Sequence, residues 1–268
     1  MRLITQADAA TQRAHFHAQR REAITKATAT NEATRPAGID ATDRKQISAF
    51  LEARGIASNH ISEGSIPELS LAFMREHLVA LLPANTPLIG LHVGNFVGVS
   101  LSFLSATLKH IHQDSLVIGV DPNLIHRGII NPQEHVAALL TACGLQRNTM
   151  LIAGYSDTKS ISNDGVAWND YNPADQFATE AGCERVISHL DRLLAPRCHV
   201  AMVDGNHEAA YLRRELAALR PLMHPGGILV LDDVDVYWEE LKEVFDQVET
   251  LGFRPITTDN RVGLAQAI

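Results

Sequence analysis

The chain has 268 residues, 46% of them hydrophobic and 20% charged, and a formal net charge of −8. That balance excludes a disordered or fibrous chain, and an acidic surplus without any Lys/Arg run argues against a nucleic-acid partner. No run of ~18 apolar residues is present for a membrane span, and the N-terminus lacks the apolar segment of a signal peptide, so a cytoplasmic protein is expected.

Residues 1 to about 42 are rich in Ala, Thr, Gln and Arg and read as a polar helix followed by a loose segment at Arg35–Gly38. Ile47, Phe50 and Leu51 then recur at helical spacing, and Pro67 opens an amphipathic helix through Leu71, Met74 and Leu78 that stops at Pro83. Apolar runs at Pro87–Val93, Ser115–Val120, Thr149–Ala153, His199–Val203 and Gly227–Leu231 alternate with helical patterns at Val97–His110, Glu134–Cys143, Val186–Leu194, Glu208–Leu222 and Tyr237–Leu251. Two last strands, Arg254–Thr258 and Arg261–Ala267, are joined by Asp259-Asn260. The expected fold is α/β: a Rossmann-like, doubly wound, mostly parallel seven-stranded sheet with an antiparallel closing strand, preceded by an N-terminal helical segment. We divide it into a helical extension or cap over 1–84 and a sheet domain over 85–268. The polar stretch 159–178, with Trp168 and Tyr171, is too long for a tight connection and is expected to cover a site. Cys143, Cys183 and Cys198 have neither metal nor disulfide spacing and read as reduced thiols.

In such a sheet ligands bind beyond the carboxyl ends of the strands. After the first strand comes Gly94-Asn95-Phe96-Val97-Gly98, where glycine lets the backbone approach a ligand and the next helix presents free N–H groups. A plain strand-to-helix turn explains it as well, and the spacing misses the dinucleotide fingerprint. Asp121, after the second strand, can accept hydrogen bonds from both ribose hydroxyls of a nucleoside; its alternative is a turn signal with Pro122 and Asn123. Ser156 and Asp157, after the third strand, offer a polar edge to an adenine ring, or a solvated loop. Asp204, after the fourth, and Asp232 with Asp233, after the fifth, would repel one another unless a cation or proton neutralised them, and oxygen donors favour Mg²⁺ or a similar ion. Helix capping accounts for one or two of these acids, not three.

The segments LHVGNFVGVSL, VIGVDPN, HVAMVDGNHEAAYLRRELAALRPLMHPGGILVLDDV and FRPITTDNRVGLAQ resemble class I S-adenosylmethionine-dependent methyltransferases. Among these, they are most similar to metal-dependent small-molecule O-methyltransferases of the macrocin and cephalosporin-cluster kind. The resemblance covers roughly residues 85–268. It implies methyl transfer to a hydroxyl of a small molecule, with S-adenosylmethionine and Mg²⁺ as cofactors. Gly94 and Gly98 would lie by the methionine part of the cofactor and Asp121 by the ribose, with Asn95 a further expected cofactor contact. Ser156, Asp157 and Asp204 complete the expected cofactor contacts, and Asp204, Asp232 and Asp233 are the expected metal ligands. Two positions depart from the family pattern: His92 stands where an acid is frequent, and Asn206 where a second Asp serves as base. An Asn cannot take a proton, so either His207, the expected base, or acidification of the substrate by the metal must replace it; by position alone His207 reads equally as an exposed first-turn helical histidine. A nicotinamide-dependent oxidoreductase and a non-catalytic nucleoside-binding protein of the same fold are the competing readings, and a homo-oligomer exchanging residues 1–38 is compatible with either.

Overall fold

The computed structural model describes residues 38–158, 184–194 and 197–268. Trp168, Tyr171 and Cys183, and the helix expected near the N-terminus, lie outside the described residues. Ile39–Ile268 forms one compact unit.

Its centre is a seven-stranded sheet in the order β3-β2-β1-β4-β5-β7-β6. The strands are β1 Ile89–Val93, β2 Leu116–Asp121, β3 Thr149–Ala153, β4 Cys198–Val203, β5 Met223–Leu231, β6 Phe253–Thr258 and β7 Gly263–Ala267. β1 to β5 pair in parallel, and β7 enters antiparallel between β5 and β6. The parallel strands read as near-continuous apolar runs because both faces are covered. Alternation is still visible in β4: Val200 and Met202 join one buried cluster, Ala201 and Val203 the other.

Eight α-helices flank the sheet among the described residues: α1 Arg44–Ala53, α2 Ser58–Glu63, α3 Glu68–Leu81, α4 Val99–Ile111, α5 Pro132–Ala142, α6 Val186–Leu194, α7 Ala209–Leu219 and α8 Glu239–Asp246. Asp43 caps α1 by accepting from the Lys45 and Gln46 N–H groups, and Pro132 opens α5 with a φ already suited to a helix. The structure differs from the sequence reading in three details. α2 was not expected; the helices expected to reach Leu222 and Leu251 finish as short 3₁₀ turns, Arg220–Leu222 and Val248–Leu251; and β5 starts four residues earlier, at Met223. Pro221 at the start of the first 3₁₀ turn lacks the N–H that α-helix continuation needs.

A larger difference concerns residues 39–84. Ile47 and Leu51 of α1, Ile61 of α2 and Leu71, Met74 and Leu78 of α3 are fully buried in the same apolar cluster as Leu101, Leu104 and Leu108 of α4 and Val200 and Met202 of β4. The first three described helices therefore build one core with the sheet, and the compact unit begins at Ile39 instead of near residue 85. Leu51→Ala should lower the unfolding free energy by about 2–5 kcal/mol in a single denaturant transition followed by circular dichroism. An extra, earlier transition would show that α1 to α3 form a separate unit.

Candidate active site

The carboxyl ends of β1 to β5 open into one cavity of ≈ 350 Å³, within the roughly 300–1,000 Å³ usual for small-molecule sites. Ladder hydrogen bonds continue past the strand ends: Gly94 N–H donates to Val120 O, Asp204 N–H to Val93 O and Asp232 N–H to Val203 O. The tips are thereby locked side by side. Gly94 is required at this point. Its φ is +85°, and a Cβ here would collide with the Asp204 carbonyl, so the tips of β1 and β4 approach more closely than any side chain permits.

Asp121, nearly buried, ties the turn after β1 to β2. Its Oδ2 accepts from the Asn95 N–H at 2.8 Å and the Phe96 N–H at 3.3 Å, and its Oδ1 accepts from the Asn123 N–H at 2.7 Å. Burial raises its pKa and these bonds oppose the rise. A carboxylate offers about four acceptor positions; three accept backbone N–H groups and the Gln133 side chain also pulls on Asp121, so a ligand hydroxyl has to share the carboxylate with Gln133, where the sequence suggested a role for two hydroxyls.

At β4 and β5 the carboxylates are brought together, but not as three equivalent groups. Arg261, from the turn between β6 and β7, grips Asp232 with two parallel hydrogen bonds of 2.9 Å and places Nη1 2.6 Å from Asp233 Oδ1. The turn that delivers it is held by Asp259, whose Oδ1 accepts from the Arg261 and Val262 N–H groups, and by Val234 N–H donating to Arg261 O. Asp233 adopts a left-handed φ of +60°, and its Oδ2 lies 2.7 Å from His207 Nε2. The Trp238 ring covers that imidazole at a centroid distance of 4.4 Å. Burial, then repulsion from Asp232 and Asp233, raises the Asp204 carboxyl well above the usual range. Burial and Asp233 push Asp232 up to about 6 against the pull of Arg261.

Among the described residues, Asp204, His207 and Asp233 each bring one donor atom within 4.8 Å of the others, a spacing and number that fit a divalent cation. Asp232, expected as the third ligand, lies outside this group and has both of its oxygens paired with Arg261. His207, expected as the base, lies within it.

Of the other expected contacts, Gly94, Ser156 and Asp204 line the cavity together with Asp121, and Asn95, Gly98 and Asp157 do not. Asn95 is turned inward, to His92 Nδ1 at 3.1 Å and Gln133 Oε1 at 3.2 Å. Gly98 starts α4 against Val136, and Asp157 turns outward to Arg214 Nε at 2.8 Å. His92 is fully buried between Asn95 and Ser100, and burial pulls its pKa down to about 4, so it is a neutral packing residue. Cys143 and Cys198 are free thiols pushed up to about 11 and about 12 by burial.

Arg261, Tyr211 and Glu215 are among the lining residues that were missed. The signal for the last two was an acid one helical turn beyond a tyrosine on the buried side of α7.

The profile of a protein family described as a methyltransferase domain matches residues 91–234. The chain belongs to this methyltransferase family. The match runs from β1 to just past β5 and so spans every strand tip around the cavity. Among solved structures, the methyltransferase resembles SAH-bound PaMTH1 of Podospora anserina, with a TM-score of 0.54 and 13% identity over 92% of this chain and 96% of that one. It also resembles the SAM-bound O-methyltransferase TomG of Streptomyces achromogenes, involved in tomaymycin synthesis, with a TM-score of 0.51 and 12% identity over 85% and 89%. A methyltransferase from Geobacter sulfurreducens gives a TM-score of 0.52 and 12% identity over 91% and 96%. At such identities the likeness is one of fold. No curated protein matches the chain. No helix among the described residues is long and apolar enough to cross a membrane.

Glu215 gives this methyltransferase a testable pH signature. Burial raises its carboxyl from 4.5 to about 8, Asp157 adds to the rise, and the Ser156 hydroxyl, Arg214 and His207 oppose it. A carboxyl with a raised folded-state pKa contributes stability that is complete below about 4.5 and is lost as pH rises through about 8. Glu215→Gln should therefore flatten the fall in stability between these limits, by at most about 1.4 kcal/mol per pH unit, in urea titrations at pH 5, 6.5 and 8.

Proposed function

We propose that this methyltransferase moves the methyl group of S-adenosylmethionine to a hydroxyl oxygen of a small molecule. The observation that carries the reading is one cavity with two dissimilar ends. Gly94, Asp121 and Ser156 form a polar backbone-rich end, and Asp204, His207 and Asp233 form an ionisable end. The SAM and SAH complexes of the fold neighbours support it.

S-Adenosylmethionine, when bound, supplies an electrophilic methyl group on sulfur. The protein's task is to hold the donor and acceptor in line, and positioning of this kind is worth up to roughly 7–11 kcal/mol. Asp121 would accept one ribose hydroxyl beside the Gln133 side chain, while Gly94 lets the chain pass close to the donor. As the oxygen–methyl bond forms and the sulfur–methyl bond breaks, the acceptor hydroxyl gives up its proton. His207 would take it. Its Nε2 lies 2.7 Å from Asp233 Oδ2, a carboxylate that would orient the ring and stabilise the imidazolium that forms. Trp238 shields the ring from water.

A second reading is favoured by the 4.8 Å cluster. Asp204, His207 and Asp233 would hold a divalent cation, which when bound supplies Lewis acidity to the acceptor oxygen. Carboxylates with an imidazole suit Mn²⁺ or Fe²⁺ as well as the Mg²⁺ expected from the sequence. The acceptor is a hydroxylated small molecule in both readings.

Isothermal titration separates them. S-Adenosylhomocysteine should bind the wild-type protein, and Asp121→Ala should weaken it at least about tenfold, roughly 1.4 kcal/mol. Absence of binding sinks the methyltransfer reading. Titration with Mg²⁺ and with Mn²⁺, on the wild type, on Asp204→Asn and on His207→Ala, then decides the role of His207. Heat that Asp204→Asn and His207→Ala both abolish makes His207 a ligand; no heat with either ion leaves it the base. In the latter case His207→Ala should reduce turnover of a catechol, sugar or polyketide acceptor by about 10²–10⁴ while leaving nucleoside binding intact.

A further inference from the structure

α7 crosses beneath the loop after β3, and the two share a polar contact that the proposed reaction has not used. Glu215 is completely buried, and its Oε1 receives the Ser156 hydroxyl in a very short hydrogen bond. One helical turn earlier, the Tyr211 hydroxyl lies 3.3 Å from Ser156 Oγ, accepts from the Asp157 N–H at 3.3 Å and donates to Thr158 O at 3.0 Å. Ser156, Tyr211 and Glu215 all line the cavity.

One atom of this wall is unsatisfied: Glu215 Oε2 is buried and has no hydrogen-bond partner among the described residues. Buried polar atoms are nearly always paired, and an exception inside a ligand cavity calls for a ligand group. With its pKa raised to about 8 by burial, the side chain is a neutral acid near neutral pH. Ser156 donates to Oε1, so the acid proton sits on Oε2 as an O–H donor that no described residue accepts. The wall belongs to the β3 side of the cavity, and Asp121, which takes the ribose in the proposed function, stands at the tip of the neighbouring strand β2. A base attached to that ribose and turned toward β3 would present its edge here.

We propose that Glu215 is a specificity-determining residue for the adenine ring, its Oε2 donating to ring nitrogen N1 while Ser156 and Tyr211 hold the carboxyl in place. The inference rests on the S-adenosylmethionine reading and deepens it. Adenine satisfies the donor because N1 carries a lone pair. Hypoxanthine carries a hydrogen on N1 and sets two donors against each other.

The test titrates three nucleosides into the full chain: S-adenosylhomocysteine, S-inosylhomocysteine and the 1-deaza analogue of S-adenosylhomocysteine, which keeps the amine and lacks the ring nitrogen. The wild type should bind the first at least about tenfold more tightly than either of the others. Glu215→Leu should bring the three affinities within about threefold, and Glu215→Gln, whose amide retains a donor, should keep most of the discrimination. The comparison of analogues on the wild type needs no variant, so it stands if Glu215→Leu fails to fold. Equal binding of all three by the wild type overturns the inference and leaves the methyltransfer reading in place. Discrimination that survives in folded Glu215→Leu also overturns it, because another group must then read N1. Binding of none of the three overturns the cofactor reading, and this inference with it.

Discussion

The site depends on how three carboxylates survive at two adjacent strand tips. Asp204, Asp232 and Asp233 lie where β4 and β5 end, in surroundings that penalise charge, and mutual repulsion adds to that penalty. Arg261 offsets part of it. A guanidinium presents several donors in a rigid plane and remains charged at any working pH, so one side chain binds both oxygens of Asp232 and one of Asp233. The antiparallel insertion of β7 between β5 and β6 serves this purpose: it brings the turn at Asp259–Val262 back beside the tip of β5. With Asp232 committed to structure, Asp233 and Asp204 are left to face the cavity with His207.

The other end of the cavity is organised by close backbone approach. Gly94 allows the β1 turn to touch the β4 tip, and Asp121 gathers the N–H groups of Asn95 and Phe96 that this turn would otherwise leave unpaired. Asn95 and His92 then satisfy each other beneath it. The residues that do not reach the cavity are therefore those that hold the turn in shape, and an Asn95 or His92 substitution acts through Asp121 and Gly94.

The sheet was legible in the sequence because its strands are short apolar runs separated by helical periods, and those signals depend on neighbours in the chain. Strand tips followed directly, and with them Gly94, Asp121, Asp204 and Asp233. What could not be read were pairings across the fold. Nothing local in Asp259-Asn260-Arg261 says that its arginine, close to thirty residues beyond Asp232, will clamp it, and without that clamp the three acids looked like a single ligand set. His207 was legible as a polar side chain near the site, but its pairing with Asp233 required the left-handed backbone at residue 233. Glu215 looked like an ordinary helical acid, and only the packing of α7 under the β3 loop buries it. The first helices were misplaced outside the core for a related reason: an amphipathic stripe announces a buried face without saying which surface buries it.

The two ends of the cavity differ in the charge they tolerate. On the β3 side, Glu215 is held neutral, as is His92 beneath the β1 turn, so that part of the site favours hydrogen bonding over ionic contact. On the β4–β5 side, carboxylates outnumber the single guanidinium that pairs with them, so a positive group is welcome there. The proposed reaction matches this division. A sulfonium donor is cationic before transfer and its thioether product is neutral, so the acid-rich end attracts the reactant more than the product. With His207 as the base, an imidazolium there would restore a positive charge beside Asp233 as the sulfonium charge disappears. A cavity acid-rich throughout would hold the adenine edge poorly, and one neutral throughout would lack both the attraction for the donor and the partner for the proton.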